Sequence, residues 1–114
     1  MMPTIKVILS LVEFKEKNQY IIYSPALDLS GYGTTAKEAK KSFAEVLAYF
    51  LEYAMENQTL SQDLKRLGWK ITDKQITPPS LKNIILHNQN FVDIFENHNL
   101  KKISQKIEIP LLAA

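Results

Sequence analysis

Between Thr4 and Phe14 apolar residues occupy both parities: Ile5, Val7, Leu9 and Leu11 on one, and Ile8, Val12 and Phe14 beside Lys6 and Ser10 on the other. That pattern, rich in β-branched and aliphatic side chains, predicts a strand with both faces at least partly covered. Lys15-Glu16-Lys17-Asn18 has the length of a hairpin loop, after which Tyr20-Ile21-Ile22-Tyr23 resumes the extended pattern over Gln19 to Ser24. Pro25 disfavours helix at Ser24, so a bend over Pro25 to Asp28 and a short third strand over Leu29 to Gly33 follow.

The period then changes. Ala36, Ala39, Phe43, Val46, Leu47, Phe50 and Ala54 recur at helical spacing, with Lys37, Lys40, Lys41, Glu45, Glu52 and Glu56 mostly opposite. Thr35-Ala36-Lys37-Glu38 reads as a capping box, so the helix starts there, runs about five turns and ends at Asn57-Gln58-Thr59. Thr59-Leu60-Ser61-Gln62 reads as a second, weaker box for a short helix carrying Leu60, Leu64 and Leu67, with Gly68 as a left-handed cap. Trp69 to Thr72 is the expected fourth strand.

Past Ile76, Thr77-Pro78-Pro79-Ser80 forms a stiff joint. Ser80 is placed to cap a helix over Leu81 to His87, and Asn90 one over Phe91 to His98. Ile103, Ile107, Ile109 and Leu111 alternate with Ser104, Lys106, Glu108 and Pro110, a terminal strand. Pro110 has no N–H to give a ladder, which places that strand at a sheet edge or a subunit boundary. The expected fold is therefore α+β: a small, mostly antiparallel sheet with one long helix packed on it, in the order β-β-β-α-β, then short helices and a final strand. Residues 1–76 form the main unit and 77–114 a C-terminal extension with an interaction or dimerisation role.

Composition narrows the chemistry. At 114 residues, 46% hydrophobic and 23% charged, the chain is sized for one core. Its formal charge of +2 is divided evenly, +1 over residues 1–70 and +1 over 71–114, so no basic tail or stripe advertises nucleic acid. Having no cysteine, the chain lacks disulfides and thiol nucleophiles, and it fits a cytoplasmic setting. His87 and His98, eleven apart, make no metal signature; each closes a predicted helix, where imidazole suits the C-terminal end of the dipole. No signal peptide or membrane span is recognisable after Met1-Met2-Pro3, and no metal or cofactor is expected.

Two segments carry a family resemblance. Tyr20-Ile21-Ile22-Tyr23-Ser24-Pro25-Ala26-Leu27 and Gly31-Tyr32-Gly33-Thr34-Thr35-Ala36-Lys37-Glu38-Ala39, in this order of elements, resemble the HicB antitoxins over roughly residues 5 to 72. The shared positions, Pro25, Gly31, Gly33, Thr35, Glu38 and Ala39, read as structural: glycine for a turn, threonine for a cap, alanine for close helix-to-sheet contact. The resemblance implies a partial ribonuclease H fold without nuclease activity, and binding of a small HicA-type messenger-RNA-cleaving toxin. Many relatives add a promoter-binding helix-turn-helix or ribbon-helix-helix; the recognition helix of the first would be Phe91 to His98, which carries Asp93 and Glu96 and no Lys or Arg, a surface that repels phosphate, and the second would open with a strand where this tail places its strand last.

Other chemistry is thin. Among the acids near the first three strands, Glu13, Asp28 and Glu38 each have a local explanation, so a magnesium cluster and an enzyme are not expected. Ser24 has turn chemistry to do and no histidine in the same half of the chain. Tyr20, Tyr23, Tyr32, Phe43, Tyr49, Phe50, Tyr53 and Trp69 could stack on RNA, but few basic residues are interleaved with them, which favours core or interface. A sheet covered by one helix leaves a face and two edges open, and something should cover them: this chain's own C-terminal strand, the same strand from a second subunit, or a strand added by a partner protein. Val12, Tyr20, Ile22 and Tyr23, with Ile103, Ile107 and Ile109, are the expected partner or dimer contacts, with residues 99–112 suited to exchange in a homodimer. The alternative is a stand-alone oligomer that binds RNA or DNA.

Overall fold

The computed structural model describes residues 4–72 and 75–110. Met1, Met2, Pro3 and Leu111, which entered the readings above, lie outside the described residues. The elements are β1 (Thr4–Glu16), β2 (Gln19–Ser24), β3 (Leu29–Gly33), α1 (Ala36–Glu56), α2 (Leu60–Arg66), β4 (Lys70–Ile71), β5 (Ile76–Thr77), α3 (Leu81–His87), α4 (Gln89–Asn97) and β6 (Lys101–Pro110). The fold is α+β: four antiparallel strands in the order β3-β2-β1-β6, with α1 packed on them, chiefly over β3 and β2.

The hairpin is tighter than the sequence pattern suggests. Glu16 pairs with Gln19, so only Lys17-Asn18 connects β1 to β2, and Lys17 takes the positive φ, 56°, that a two-residue turn needs at its first position. At the next bend Asp28 has φ 55°, its amide donates to the Ser24 carbonyl at 2.8 Å, and the Leu27 amide donates to the Ser24 hydroxyl at 3.2 Å. Ser24 is buried and does turn chemistry, as expected.

The start of α1 explains why β3 is glycine-rich. Gly31 and Gly33 lie within the strand and face the helix, not a turn: a Cβ on Gly31 would sit 2.2 Å from the Phe43 amide nitrogen, and one on Gly33 would sit 2.5 Å from that of Ala39. Absence of side chains lets the helix backbone lie directly on the strand, with Ala39 and Phe43 fully buried. Thr35 caps as expected, its hydroxyl accepting from the Glu38 amide at 3.1 Å. The Glu38 carboxylate reaches back one residue further than a capping box requires, accepting from the Thr34 amide at 3.0 Å and hydroxyl at 2.6 Å. The Thr34 hydroxyl, then its amide, hold that carboxyl below its ordinary range.

Three expectations are corrected. The segment Trp69 to Thr72 does not supply the main sheet's fourth strand: Lys70–Ile71 pairs only with Ile76–Thr77 in a separate ribbon. Trp69 is instead a core residue, its indole Nε1 donating to the Ala26 carbonyl at 2.8 Å, and Gly68 (φ 95°) turns the chain to put it there. The fourth place goes to β6, whose ten residues pair with β1 from Glu13 opposite Lys101 to Thr4 opposite Pro110. Residues beyond 76 are thus knit into the same sheet as residues before it. At α2, Thr59 makes no side-chain cap; its hydroxyl donates to Asp63 at 3.0 Å, so the second capping box is not formed. At α4 the cap is Asn88, whose Oδ1 accepts from the Phe91 amide at 3.1 Å, while Asn90 sits in the first turn and donates to Asp28 at 3.2 Å.

The two parities of β1 feed two cores. Val7, Leu9 and Leu11 join Ile22, Ile107, Ile109, Phe43, Leu47, Leu64 and Trp69 on the α1 side. Val12 and Phe14 join Ile21, Tyr23 and Phe91 on the other, so α4 covers part of the face expected to be open. The uncovered part is the β1–β6 half, where Lys6, Ile8, Ser10, Lys102, Ser104 and Lys106 are exposed.

Candidate functional site

The expected contact residues are distributed by that division. Ile22, Ile107 and Ile109 are buried in the larger core, Val12 and Tyr23 in the smaller one, and Tyr20 and Ile103 are half-buried against the larger. Within one chain most of these side chains already pack against one another, while half-buried Tyr20 and Ile103 keep part of their surface open. The Lys15 ammonium lies 5.3 Å from the Tyr20 ring centroid. Phe43 and Trp69 are core, while Tyr49 and Tyr53 stack on one another along the exposed side of α1 with ring centroids 6.4 Å apart.

Tyr23 anchors a polar network that the sequence pattern did not reveal. Its hydroxyl donates to Asp28 Oδ1 at 2.5 Å and accepts from Asn88 Nδ2 at 2.8 Å; the same Nδ2 lies 3.3 Å from the Pro25 carbonyl, and Asn90 reaches Asp28. Burial, then the bond to Asp28, push the phenol far above its ordinary value of 10.0. The network ties the bend at Pro25 to Asp28 to the start of α4. Asp28 is therefore committed to structure, as Glu38 is at its cap. Among the described residues no three His, Asp or Glu side chains are arranged to hold a metal ion.

The histidines sit at helix ends as expected. His87 is in the last turn of α3; His98 follows α4 with Nδ1 3.2 Å from the Ile94 carbonyl, its ring 4.6 Å from that of Phe14, and Nε2 3.9 Å from Glu16.

The surface feature that stands out is α3. None of its residues is buried, and Leu81, Ile85 and Leu86 are 54%, 50% and 65% exposed. Beside it Ile8, on the uncovered half-face, is 63% exposed. Between helix and sheet runs a groove of about 390 Å³ lined by Ile8, Val12, Pro25, Pro79, Leu81 and Ile84. On α4, Phe95 is exposed between exposed Asp93 and Glu96. A single exposed aliphatic residue needs no explanation, but clustering around a groove marks a surface that gains by being covered. Sequence periodicity did not reveal it: Leu81, Ile84 and Ile85 stand at the i, i+3, i+4 spacing of a one-sided stripe, which ordinarily marks a covered face, and here Leu81 and Ile85 are left exposed.

Set against protein-family models, curated proteins and solved structures, the chain matches none of them. No described helix is long and apolar enough to cross a membrane.

Proposed function

We propose that the chain is an antitoxin-like protein, resembling HicB over its first two thirds, that binds a small HicA-type messenger-RNA-cleaving partner and masks it by protein contact. The observation that carries the reading is the apolar surface of α3 beside the groove. Covering the exposed half of Leu81, Ile85 and Leu86 is worth roughly 1 kcal/mol each. Phe95, between Asp93 and Glu96, adds an aromatic anchor whose surroundings have the sign suited to a partner shaped to hold RNA. No bond is made or broken in this function. Masking requires only that the interface form.

The test is co-expression with the product of a small basic reading frame adjoining the gene. Growth arrest by that product alone, relieved by this chain and not by the Ile85→Asp/Leu86→Asp variant, is the expected result. If no such frame exists, or if the variant relieves arrest as well as the parent, the reading is wrong.

One observation favours the alternative, a stand-alone nucleic-acid-binding oligomer: Lys6, Lys102 and Lys106 share the uncovered half-face. That face carries no aromatic side chain for stacking, and Glu108 stands opposite Lys6. A salt series separates the two, since nucleic-acid affinity falls steeply with ionic strength and an apolar interface hardly responds.

A further inference from the structure

β6 ends the sheet, and nothing among the described residues pairs with its outer main-chain groups. Which groups those are follows from the hairpin. Glu16 and Gln19 close a two-residue turn and so exchange main-chain hydrogen bonds. Counting back along β1, even-numbered residues then address β2 and odd-numbered residues address β6. The register of Leu9 with Gln105 and Leu11 with Ile103 turns the odd residues of β6 inward. Lys102, Ser104, Lys106, Glu108 and Pro110 therefore present their main chain outward. The far edge agrees: the Tyr32 amide leaves the sheet and donates to the Ser42 hydroxyl at 3.1 Å, the orientation this parity requires, and it blunts that edge. Pro110, facing away from β1, withholds no bond from the native ladder.

The geometry points to a second copy of this chain on the β6 edge, the two strands antiparallel across a two-fold axis that passes at Gln105. Outward groups must meet outward groups, so the axis has to pass at a residue and not between two. With Gln105 on the axis, Lys102 of each copy faces Glu108 of the other, Ser104 faces Lys106, and half-buried Ile103 lies opposite Ile107 on the core face. Centring the pair on Ser104 sets Lys102 against Lys106. Centring it on Lys106 sets that lysine against its own copy. Centring it on Ile107 keeps one opposite-charge pairing, Lys106 with Glu108, but shortens the ladder and puts Pro110, which has no N–H, in a hydrogen-bonding place opposite Ser104. Like charges directly opposed destabilise a strand pair and opposite charges stabilise it. Lysines and a proline guard the edge against strands in general, yet in the Gln105 register the charges complement themselves over the longest ladder, with Pro110 left beyond it. The result is one continuous sheet running through both copies, and it stands independently of any toxin.

Analytical ultracentrifugation and a cysteine substitution test it. The parent chain should sediment as a dimer. Lys102→Glu, which sets carboxylates against Glu108, should weaken the dimer at least tenfold at low salt, and adding Glu108→Lys should restore it; thermal melts confirm that each variant folds. The chain has no cysteine of its own. Gln105→Cys should cross-link to itself under copper phenanthroline, because a non-hydrogen-bonded pair brings Cα atoms to about 4.5 Å, within disulfide reach. Ser104→Cys should not. A monomer at every concentration, a dimer that Gln105→Cys fails to trap, or a charge swap that does not restore pairing each overturns the proposal. A dimer made by exchange of β6 is included among these, because there Gln105 faces Leu9 and not its own copy.

Discussion

Asn88 donates to the Tyr23 hydroxyl at 2.8 Å across 65 positions of sequence, and through its Oδ1 caps α4 at the Phe91 amide. One amide side chain therefore fastens the tail to the hairpin and starts the helix that covers the second core. Asn88→Ala removes the cap and half of the phenol's partners, and should cost about 2 kcal/mol in urea denaturation. In a double-mutant cycle with Tyr23→Phe the coupling should be about 1 kcal/mol. Additive single losses would show that the bond contributes nothing.

The same phenol sets an alkaline limit. Its folded-state pKa lies above the ordinary value of 10.0, so the folded protein keeps a proton that the unfolded chain releases. Stability from this group is fully present below about pH 10 and is lost as pH rises beyond it. Melting temperature should fall above that pH in the parent chain, and the fall should flatten in Tyr23→Phe. Equal slopes would mean that other groups govern it.

At the helix-strand contact, Gly31→Ala should destabilise by at least about 3 kcal/mol, since a methyl 2.2 Å from the Phe43 nitrogen must displace α1 bodily. Thr35→Ala, a simple cap loss at the same helix, should cost only about 1 kcal/mol. Chemical denaturation of both variants ranks them, and a reversed order would show that α1 shifts easily on β3.

For α3, Leu86→Asp should change stability by no more than about 0.5 kcal/mol, because the side chain is largely in water already. Its effect should appear in partner binding, measured by calorimetry. A large loss of melting temperature would reveal that the helix is held down by contacts this surface does not show.

Elements with a clean period were legible from sequence: both core strands of the first hairpin, β3, α1 and β6 lie within a few residues of where alternation or helical spacing puts them. Where tertiary choice decides, the pattern was mute. Nothing local tells that Trp69 turns into the core to bond Ala26, or that the alternating run from Ile103, expected at a sheet edge or a subunit boundary, takes the edge beside β1. Asn88 and Asn90 are equally good caps by type; the position of Tyr23 and Asp28 in space selects between them. The exposed surface of α3 follows from which side of the sheet the tail reaches, which depends on the bend at Pro25 and the joint at Pro78-Pro79.

The pairing of β1 with β6 has a consequence for synthesis. As a ribosome extends the chain, the first strand emerges long before the one that will lie beside it, with Thr4 waiting for Pro110 and Glu13 for Lys101. Until then Leu9 and Leu11 have no neighbour on that flank, and the nascent protein carries a bare apolar rim open to proteases and chaperones. Closing so distant a contact is slow. Whatever sets the time from translation to protection therefore acts at β6, the strand made after the elements from β1 to α4 are already in place.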